Sequence, residues 1–222
     1  MKFIRERVLK GEFLAGAWCN MGSSITTEMA GALGYDWVML DQEHGPGDNT
    51  TLLHQMQSLS GAKAAVFVRV PWRDRILFKR ALDLGASGLM IPYVQTAAEA
   101  KEIVTLAKYV PQGERGIAAS PRCASFSLNF DNYFAGANAG LVTFAQIETP
   151  LAVDNAEAIA AVDGIDVLFV GPKDLAISSS YLDWFENDKY VTLLKRIAAA
   201  AKNNGKVCGI HMPQAKWVPL VK

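Results

Sequence analysis

The sequence predicts a parallel α/β fold, because short apolar runs alternate with helix-like segments along nearly all of its 222 residues. The apolar runs are rich in β-branched and aromatic residues and stop at Gly, Pro or polar residues, as buried parallel strands do. Strands are predicted at residues 14–19, 37–41, 65–70, 88–91, 141–147, 167–170 and 207–210. Helices are predicted at 26–33, 51–60, 73–84, 97–108, 151–161 and 189–203, with a seventh around 217–222.

The number of strands and the first loop together choose between two parallel architectures. An open doubly wound sheet usually has a glycine-rich phosphate loop after its first strand, and the Asn-Met-Gly-Ser-Ser stretch at residues 20–24 lacks that spacing. A TIM barrel closes with eight strands, one more than the sequence predicts. We therefore predict a TIM (β/α)8-type barrel that lacks its last βα unit, folded as a single domain over residues 1–222.

Composition excludes several kinds of partner. The 22 Lys and Arg residues balance 22 Asp and Glu residues, so no net field attracts nucleic acid or an anionic membrane. No segment is long and apolar enough for a membrane span, and the amino terminus lacks the apolar stretch of a signal peptide. Three widely spaced cysteines, at positions 19, 123 and 208, suit a reducing compartment. We expect a cytoplasmic protein with a small-molecule substrate.

Two carboxylates follow consecutive predicted strands. Glu148 comes directly after the fifth strand, and Asp174 follows the sixth through a Gly-Pro-Lys stretch. Because the carboxyl ends of parallel strands share one edge, we expect the two side chains to point into one site. Such a pair of oxygen ligands suits a hard divalent cation.

Other strand ends carry polar residues of a reactive kind. His44 follows the second strand and Arg69 ends the third, while Gln146 precedes Glu148 in the fifth. In barrel enzymes the active site is built from these strand ends, so we expect His44, Arg69, Glu148 and Asp174 to converge around one pocket. A buried guanidinium needs an anionic partner, so a plain salt bridge is the structural alternative for Arg69.

Six stretches carry a resemblance to a known family. They are residues 34–46, ending in Asp-Gln-Glu-His-Gly-Pro; Val-Arg-Val-Pro at 68–71; Leu-Asp-Leu-Gly-Ala at 82–86; Gly-Glu-Arg-Gly at 113–116; Gln-Ile-Glu-Thr at 146–149; and Gly-Ile-Asp at 164–166, leading to Gly-Pro-Lys-Asp-Leu at 171–175. In this order they resemble the HpcH/HpaI aldolases, the metal-dependent class II aldolases of 2-keto acids. The match runs from about residue 11 to residue 211.

The resemblance implies reversible cleavage of a 4-hydroxy-2-keto acid to pyruvate and an aldehyde. Glu148 and Asp174 would hold Mg²⁺ or Mn²⁺, with Co²⁺ or a similar ion as another option, and the cation would act as a Lewis acid. Arg69 would stabilise the enolate oxygen, and His44, oriented by Asp83, would be the base or would position water. The resemblance also assigns substrate binding to Gln146, Gly171, Pro172, Lys173 and Asp174, and implies a homo-oligomer, a trimer or a hexamer.

Two alternatives stay open at this point. The family usually has a small residue where this chain has Lys173, and a lysine just beyond the sixth strand could form a Schiff base instead. The chain could also be a shortened, inactive homologue that keeps only binding or oligomerisation. We expect a structural role for His54, and the role of His211 stays open.

Overall fold

The structure is a computed structural model that describes residues 1–212 and 214–220, the latter without the side chains of residues 215, 219 and 220. Its residues group into two compact units. The first unit comprises Met1–Ile91 and Glu102–Thr143, and the second comprises Pro92–Lys101 and the described part of Phe144–Lys222. Each unit is described by itself below.

The first unit contains four complete parallel strands. They are β1 (Gly16–Cys19), β2 (Trp37–Asp41), β3 (Ala65–Arg69) and β4 (Gly88–Ile91), hydrogen-bonded in chain order. Its helices are α1 (Arg5–Leu9), α2 (Ser24–Ala32), α3 (Asn49–Ser58), α4 (Arg75–Leu84) and α6 (Phe130–Gly140), with a 3-10 turn at Arg122–Ala124. Helix α5 (Ala97–Ala107) and strand β5 (Val142–Ile147) each begin in one unit and end in the other.

The second unit continues the same alternation. Strand β5 pairs with β6 (Val167–Val170), which pairs with β7 (Val207–Ile210), all parallel. Its helices are α7 (Pro150–Asp154), α8 (Ala156–Ala160), α9 (Pro172–Ser178) and α10 (Asp188–Asn203), with 3-10 turns at Trp184–Glu186 and Ala215–Leu220. Strands β5 and β6 are buried along their whole length, as expected for parallel strands covered on both faces.

The parallel α/β class and all seven predicted strands are confirmed, with strand ends within two residues of the prediction. Local chemistry explains several helix boundaries. The Asp74 carboxylate accepts hydrogen bonds from the first N–H groups of α4, and Gly85 ends that helix with a φ of 114°. Helix α2 is capped by Ser23, whose hydroxyl accepts a hydrogen bond from the N–H of Thr26. The predicted helix at residues 217–222 is a 3-10 turn as far as residue 220, and residues 221 and 222 lie outside the described part.

Three helical features differ from the sequence prediction. Helices α1 and α6 were not predicted, and the single helix expected over residues 151–161 is interrupted at Asn155, between α7 and α8. Helix α6 contains two Gly and two Asn residues, which have weak helical preference, and it is stabilised by packing of Tyr133 and Ala137 against Tyr109 and Cys123. None of the helices in the described residues is long and apolar enough to cross a membrane.

Candidate active site

Arg69 and Asp41 form a buried ion pair at the carboxyl ends of two neighbouring strands of the first unit. They are register partners in the β2–β3 ladder. Arg69 donates from Nε to Asp41 Oδ1 over 3.0 Å and from a terminal nitrogen to Oδ2 over 2.6 Å. The two residues are 7% and 3% exposed. The salt bridge considered as the alternative for Arg69 is therefore present, and it takes the bidentate form that fits a guanidinium best.

Asp41 also organises its surroundings. Trp18 donates its indole N–H to Asp41 Oδ2 over 3.1 Å, and the Arg69 guanidinium lies 4.8 Å from the centre of the Trp18 ring. The backbone N–H groups of Glu43 and His44 donate to Asp41 Oδ1 over 3.0 and 3.2 Å, which fixes the turn after β2. Burial by itself would raise the pKa of Asp41, but the hydrogen bonds and charge of Arg69 outweigh it and hold that pKa below its ordinary value.

Glu43 joins His44 to this ion pair. A carboxylate oxygen of Glu43, Oε2, lies 2.9 Å from the remaining terminal nitrogen of Arg69 and 3.9 Å from Nε2 of His44. The side chain of His44 is 66% exposed, whereas that of Glu43 is 19% exposed. Two predicted site residues, His44 and Arg69, are thus brought together around a carboxylate that the sequence had not singled out.

Asp83, predicted to orient His44, has a different partner in the chain. It lies near the end of α4, and its Oδ1 accepts a hydrogen bond from Arg115 over 2.8 Å. Arg115 also donates to the Tyr133 hydroxyl over 2.9 Å and lies over the Tyr109 ring. Because a buried guanidinium draws a carboxylate to itself, the charge of Asp83 is committed to Arg115, and the expected direct contact with His44 is not formed within this chain.

In the second unit, Glu148 is a buried carboxylate held at both of its oxygens. It is 3% exposed and lies directly after β5. The backbone N–H of Tyr93 donates to Oε1 over 2.7 Å, and the side-chain amide of Gln146 donates to Oε2. Gln146 thus lies beside Glu148. These two donors keep the carboxylate in one orientation.

Helix α9 lies against Glu148 and carries Asp174 in its first turn. Gly171, which precedes the helix, is so close to Glu148 that a Cβ on it would be 2.5 Å from Oε2. Near the other end of the helix, the Ser178 hydroxyl donates to the backbone carbonyl of Glu148 over 3.0 Å. Asp174 is four residues before Ser178, which puts it on the same side of the helix, and Asp174 is exposed.

The remaining predicted substrate-binding residues line the same turn. Pro172 has no N–H, and its carbonyl accepts a hydrogen bond from the Tyr190 hydroxyl over 2.8 Å. The N–H of Gly171 donates to the carbonyl of Ile147 over 3.3 Å. The N–H groups of Lys173 and Asp174 lie in the first turn of α9, where a helix offers its backbone N–H groups no partner of its own. Lys173 itself is exposed.

The oxygen atoms around Glu148 suit a hard divalent cation. In the part of the chain that the structure describes, no group of three or more His, Cys, Asp or Glu side chains forms a metal cage. Glu148 and Asp174 carry hard carboxylate oxygens, and Mg²⁺ is typically bound by one or two carboxylates, with water and substrate oxygens completing its shell. The donor set therefore fits Mg²⁺ or Mn²⁺ better than a soft metal.

Sequence reasoning missed three residues that contact the predicted site residues Arg69 and Glu148: Asp41, Glu43 and Tyr93. For Asp41 and Glu43 a signal existed, since both lie in the acidic stretch after β2 and Asp41 occupies the position that pairs with Arg69. For Tyr93 there was no side-chain signal, because its contribution is a backbone N–H.

Known proteins resemble the chain over nearly its whole length. The sequence profile of the HpcH/HpaI aldolase/citrate lyase family matches residues 14–214. A 5-keto-4-deoxy-D-glucarate aldolase from Salmonella gallinarum is 42% identical over 198 residues, which make up 89% of this chain and 77% of that protein. A structure of an HpcH/HpaI aldolase/citrate lyase family protein from Burkholderia cenocepacia superposes with a TM-score of 0.92 and 36% identity. The alignment covers 97% of this chain and 86% of the Burkholderia chain.

A second solved structure agrees with the first. An HpcH/HpaI aldolase from Desulfitobacterium hafniense superposes with a TM-score of 0.90 and 30% identity. The alignment covers 100% of this chain and 86% of the Desulfitobacterium chain. Fold and similarity together place the protein in the aldolase and lyase class. The chain belongs to the HpcH/HpaI aldolase/citrate lyase family, and the resemblance drawn from its motifs is confirmed.

Proposed function

We propose that the protein is a divalent-metal-dependent aldolase that reversibly cleaves a 4-hydroxy-2-keto acid to pyruvate and an aldehyde. The observation that supports this most is the buried Glu148 carboxylate, held by two donors and faced by the helix that carries Asp174. The Salmonella relative is named for a keto-deoxy sugar acid, a substrate of the same chemical class.

The proposed reaction assigns one task to each polar group. In the cleavage direction His44 accepts the proton of the 4-hydroxyl while the bond between C3 and C4 breaks and the aldehyde leaves. The electron pair remains on the keto-acid fragment as the pyruvate enolate, whose negative oxygen receives hydrogen bonds from Arg69. His44 then returns the proton to C3, which becomes the methyl carbon of pyruvate. A cation held by Glu148 and Asp174 supplies Lewis-acid stabilisation of the developing charge when bound.

The substrate carboxylate is assigned to the first N–H groups of α9, those of Lys173 and Asp174, with Gln146 and Gly171 lining the space next to Glu148. Within the chain the Asp83 carboxylate is paired with Arg115. That Asp83 orients His44 is therefore a proposal. Replacing Asp83 with Asn and measuring turnover tests that role directly.

A Schiff-base mechanism through Lys173 receives less support. A nucleophilic lysine in such a mechanism is usually desolvated, and Lys173 is exposed at the start of α9. That mechanism would also leave no task for the buried Glu148 carboxylate.

We also propose the architecture and assembly that the motifs implied. These are a TIM-type barrel domain that assembles into a trimer or hexamer in the cytoplasm. An apolar stripe supports the assembly: Ile25, Met29 and Leu33, spaced four residues apart along α2, are 70%, 61% and 74% exposed. Analytical ultracentrifugation tests the proposal, and a monomer at micromolar concentration would contradict it.

The experiment that tests the function is a pyruvate-release assay on a panel of 4-hydroxy-2-keto acids with Mg²⁺, Mn²⁺ or Co²⁺. We expect turnover that disappears with a chelator and returns when metal is restored. Borohydride reduction in the presence of pyruvate should leave activity intact. Turnover that survives the chelator but is lost on borohydride trapping would support Lys173 instead, and no release with any substrate would support the inactive homologue.

A further inference from the structure

Glu43 makes contacts that a simple charge-balancing role does not explain. The Arg69 guanidinium already has a bidentate carboxylate in Asp41, with N–O distances of 3.0 and 2.6 Å, and the Trp18 ring lies 4.8 Å from it. Glu43 nevertheless places a second carboxylate oxygen 2.9 Å from the same guanidinium. Glu43 therefore approaches a guanidinium that the Asp41 carboxylate already holds at two of its nitrogens.

The same Glu43 oxygen has a second neighbour in His44, whose Nε2 lies 3.9 Å from it. The base of an acid–base enzyme is commonly oriented by a third group that also stabilises the protonated ring. Catalytic hydrogen bonds are often long without substrate, so 3.9 Å is a distance that can shorten during the reaction.

We propose that Glu43 is the positioning residue of the aldol reaction, sharing Oε2 between Arg69 and His44. It turns Nε2 of His44 towards itself, so that Nδ1 is the atom that takes the proton from the substrate hydroxyl and later returns it to carbon. It stabilises the imidazolium present between those two transfers. This inference rests on the proposed function.

The test uses proton exchange at the methyl group of pyruvate in D₂O with Mn²⁺ or Mg²⁺, followed by NMR, because it isolates the proton transfer from the unknown aldehyde. We expect Glu43→Gln to slow exchange at saturating pyruvate about tenfold to a hundredfold, with half-saturation by pyruvate changed less than about twofold. Glu43→Asp, which keeps the charge, should recover part of the rate. Glu102→Gln is the matched control, since Glu102 pairs with Arg73 over 2.6 Å at the surface.

A double-variant cycle separates an effect through His44 from an effect on the fold. If Glu43 acts through His44, the Glu43→Gln/His44→Asn double variant should be within about twofold of His44→Asn alone. Additive losses would overturn the inference, because they would show that Glu43 acts elsewhere. A Glu43→Gln enzyme that exchanges as fast as the wild type and the Glu102→Gln control would also overturn it.

A readout without catalysis keeps this inference separate from the proposed function. The chain has three histidines, so the imidazole nitrogen signals of His44 can be assigned with His44→Asn. Glu43→Gln should shift the Nε2 signal of His44 and leave those of His54 and His211 in place, while Glu43→Asp shifts it less. No methyl exchange in the wild type with any metal would count against the proposed function. Unchanged His44 signals in Glu43→Gln would count against the role of Glu43.

Discussion

The backbone N–H of Tyr93 donates to Oε1 of Glu148 over 2.7 Å, from a residue whose φ is +54°. A left-handed conformation costs a side-chain-bearing residue about 1–3 kcal/mol and is often found where function requires it. Here it aims an N–H at a carboxylate assigned to metal binding. Substitutions at residue 93 test the strain and the hydrogen bond.

Tyr93→Gly should leave stability nearly unchanged, because relief of the strain offsets the flexibility that glycine adds to the unfolded chain. Tyr93→Pro should destabilise the protein by more than about 2 kcal/mol, since proline has no N–H and cannot adopt a positive φ. Urea unfolding measures both. Equal stability of the two variants would show that the hydrogen bond to Glu148 contributes nothing.

Gly171→Ala should displace the Glu148 carboxylate. A methyl group there would lie 2.5 Å from Glu148 Oε2 and 2.8 Å from the Gln146 amide nitrogen. We expect a loss of about 1–3 kcal/mol in stability and weaker binding of Mn²⁺, measured by electron paramagnetic resonance. Gly61→Ala is the control, because nothing lies within 4 Å of a Cβ at that position. Equal Mn²⁺ affinity in the two variants would refute the packing argument.

Glu148→Gln and Asp174→Asn should each abolish metal-dependent turnover while the protein stays folded. In Glu148→Gln the new amide can keep its oxygen towards the Tyr93 N–H, and Gln146 can turn its own amide so that its oxygen accepts from the new NH₂ group. Asp154→Asn, at an exposed ion pair with Arg196, is the control. Calorimetric titration with Mn²⁺ together with thermal unfolding checks the prediction. Retained Mn²⁺ affinity in both site variants would remove these residues from the metal site.

Arg69 should be tested with lysine rather than alanine. Arg69→Ala leaves the buried Asp41 carboxylate without its bidentate partner, which typically destabilises a protein by about 3–5 kcal/mol and confounds kinetics. Arg69→Lys keeps the positive charge but loses the planar fork. We expect pyruvate methyl exchange to fall about a hundredfold at saturating pyruvate, since the enolate oxygen loses a donor that acts in the transition state. An unchanged exchange rate would make Arg69 a purely structural residue.

Asp41 makes a pH-dependent contribution to stability. Its pKa in the folded chain is below the ordinary value, so the ion pair stabilises the protein fully above the unfolded-state pKa of about 4 and less as pH falls below it. Asp41→Asn should therefore be less stable than the wild type at pH 7, and the difference should shrink under acid. Urea unfolding between pH 7 and pH 3 measures it. A difference that stays constant with pH would mean that the charge of Asp41 is not responsible.

The sequence by itself determined the strands, the family and most of the candidate residues. Buried parallel strands are continuous apolar runs that end at polar or turn residues, so their positions follow from local pattern alone. The same pattern located Arg69, Gln146 and Glu148, because a polar residue at the end of such a run is conspicuous.

Only the tertiary structure shows which residues form ion pairs and hydrogen bonds with one another. The ion pair of Arg69 depends on the register of β2 against β3, and that of Asp83 on where the distant Arg115 is placed. Helix α6 forms because its aromatic residues are buried in a cluster, although its Gly and Asn residues disfavour a helix. Tyr93 contributes a backbone N–H, a group that nearly every residue has, so only its position in space makes it a functional contact.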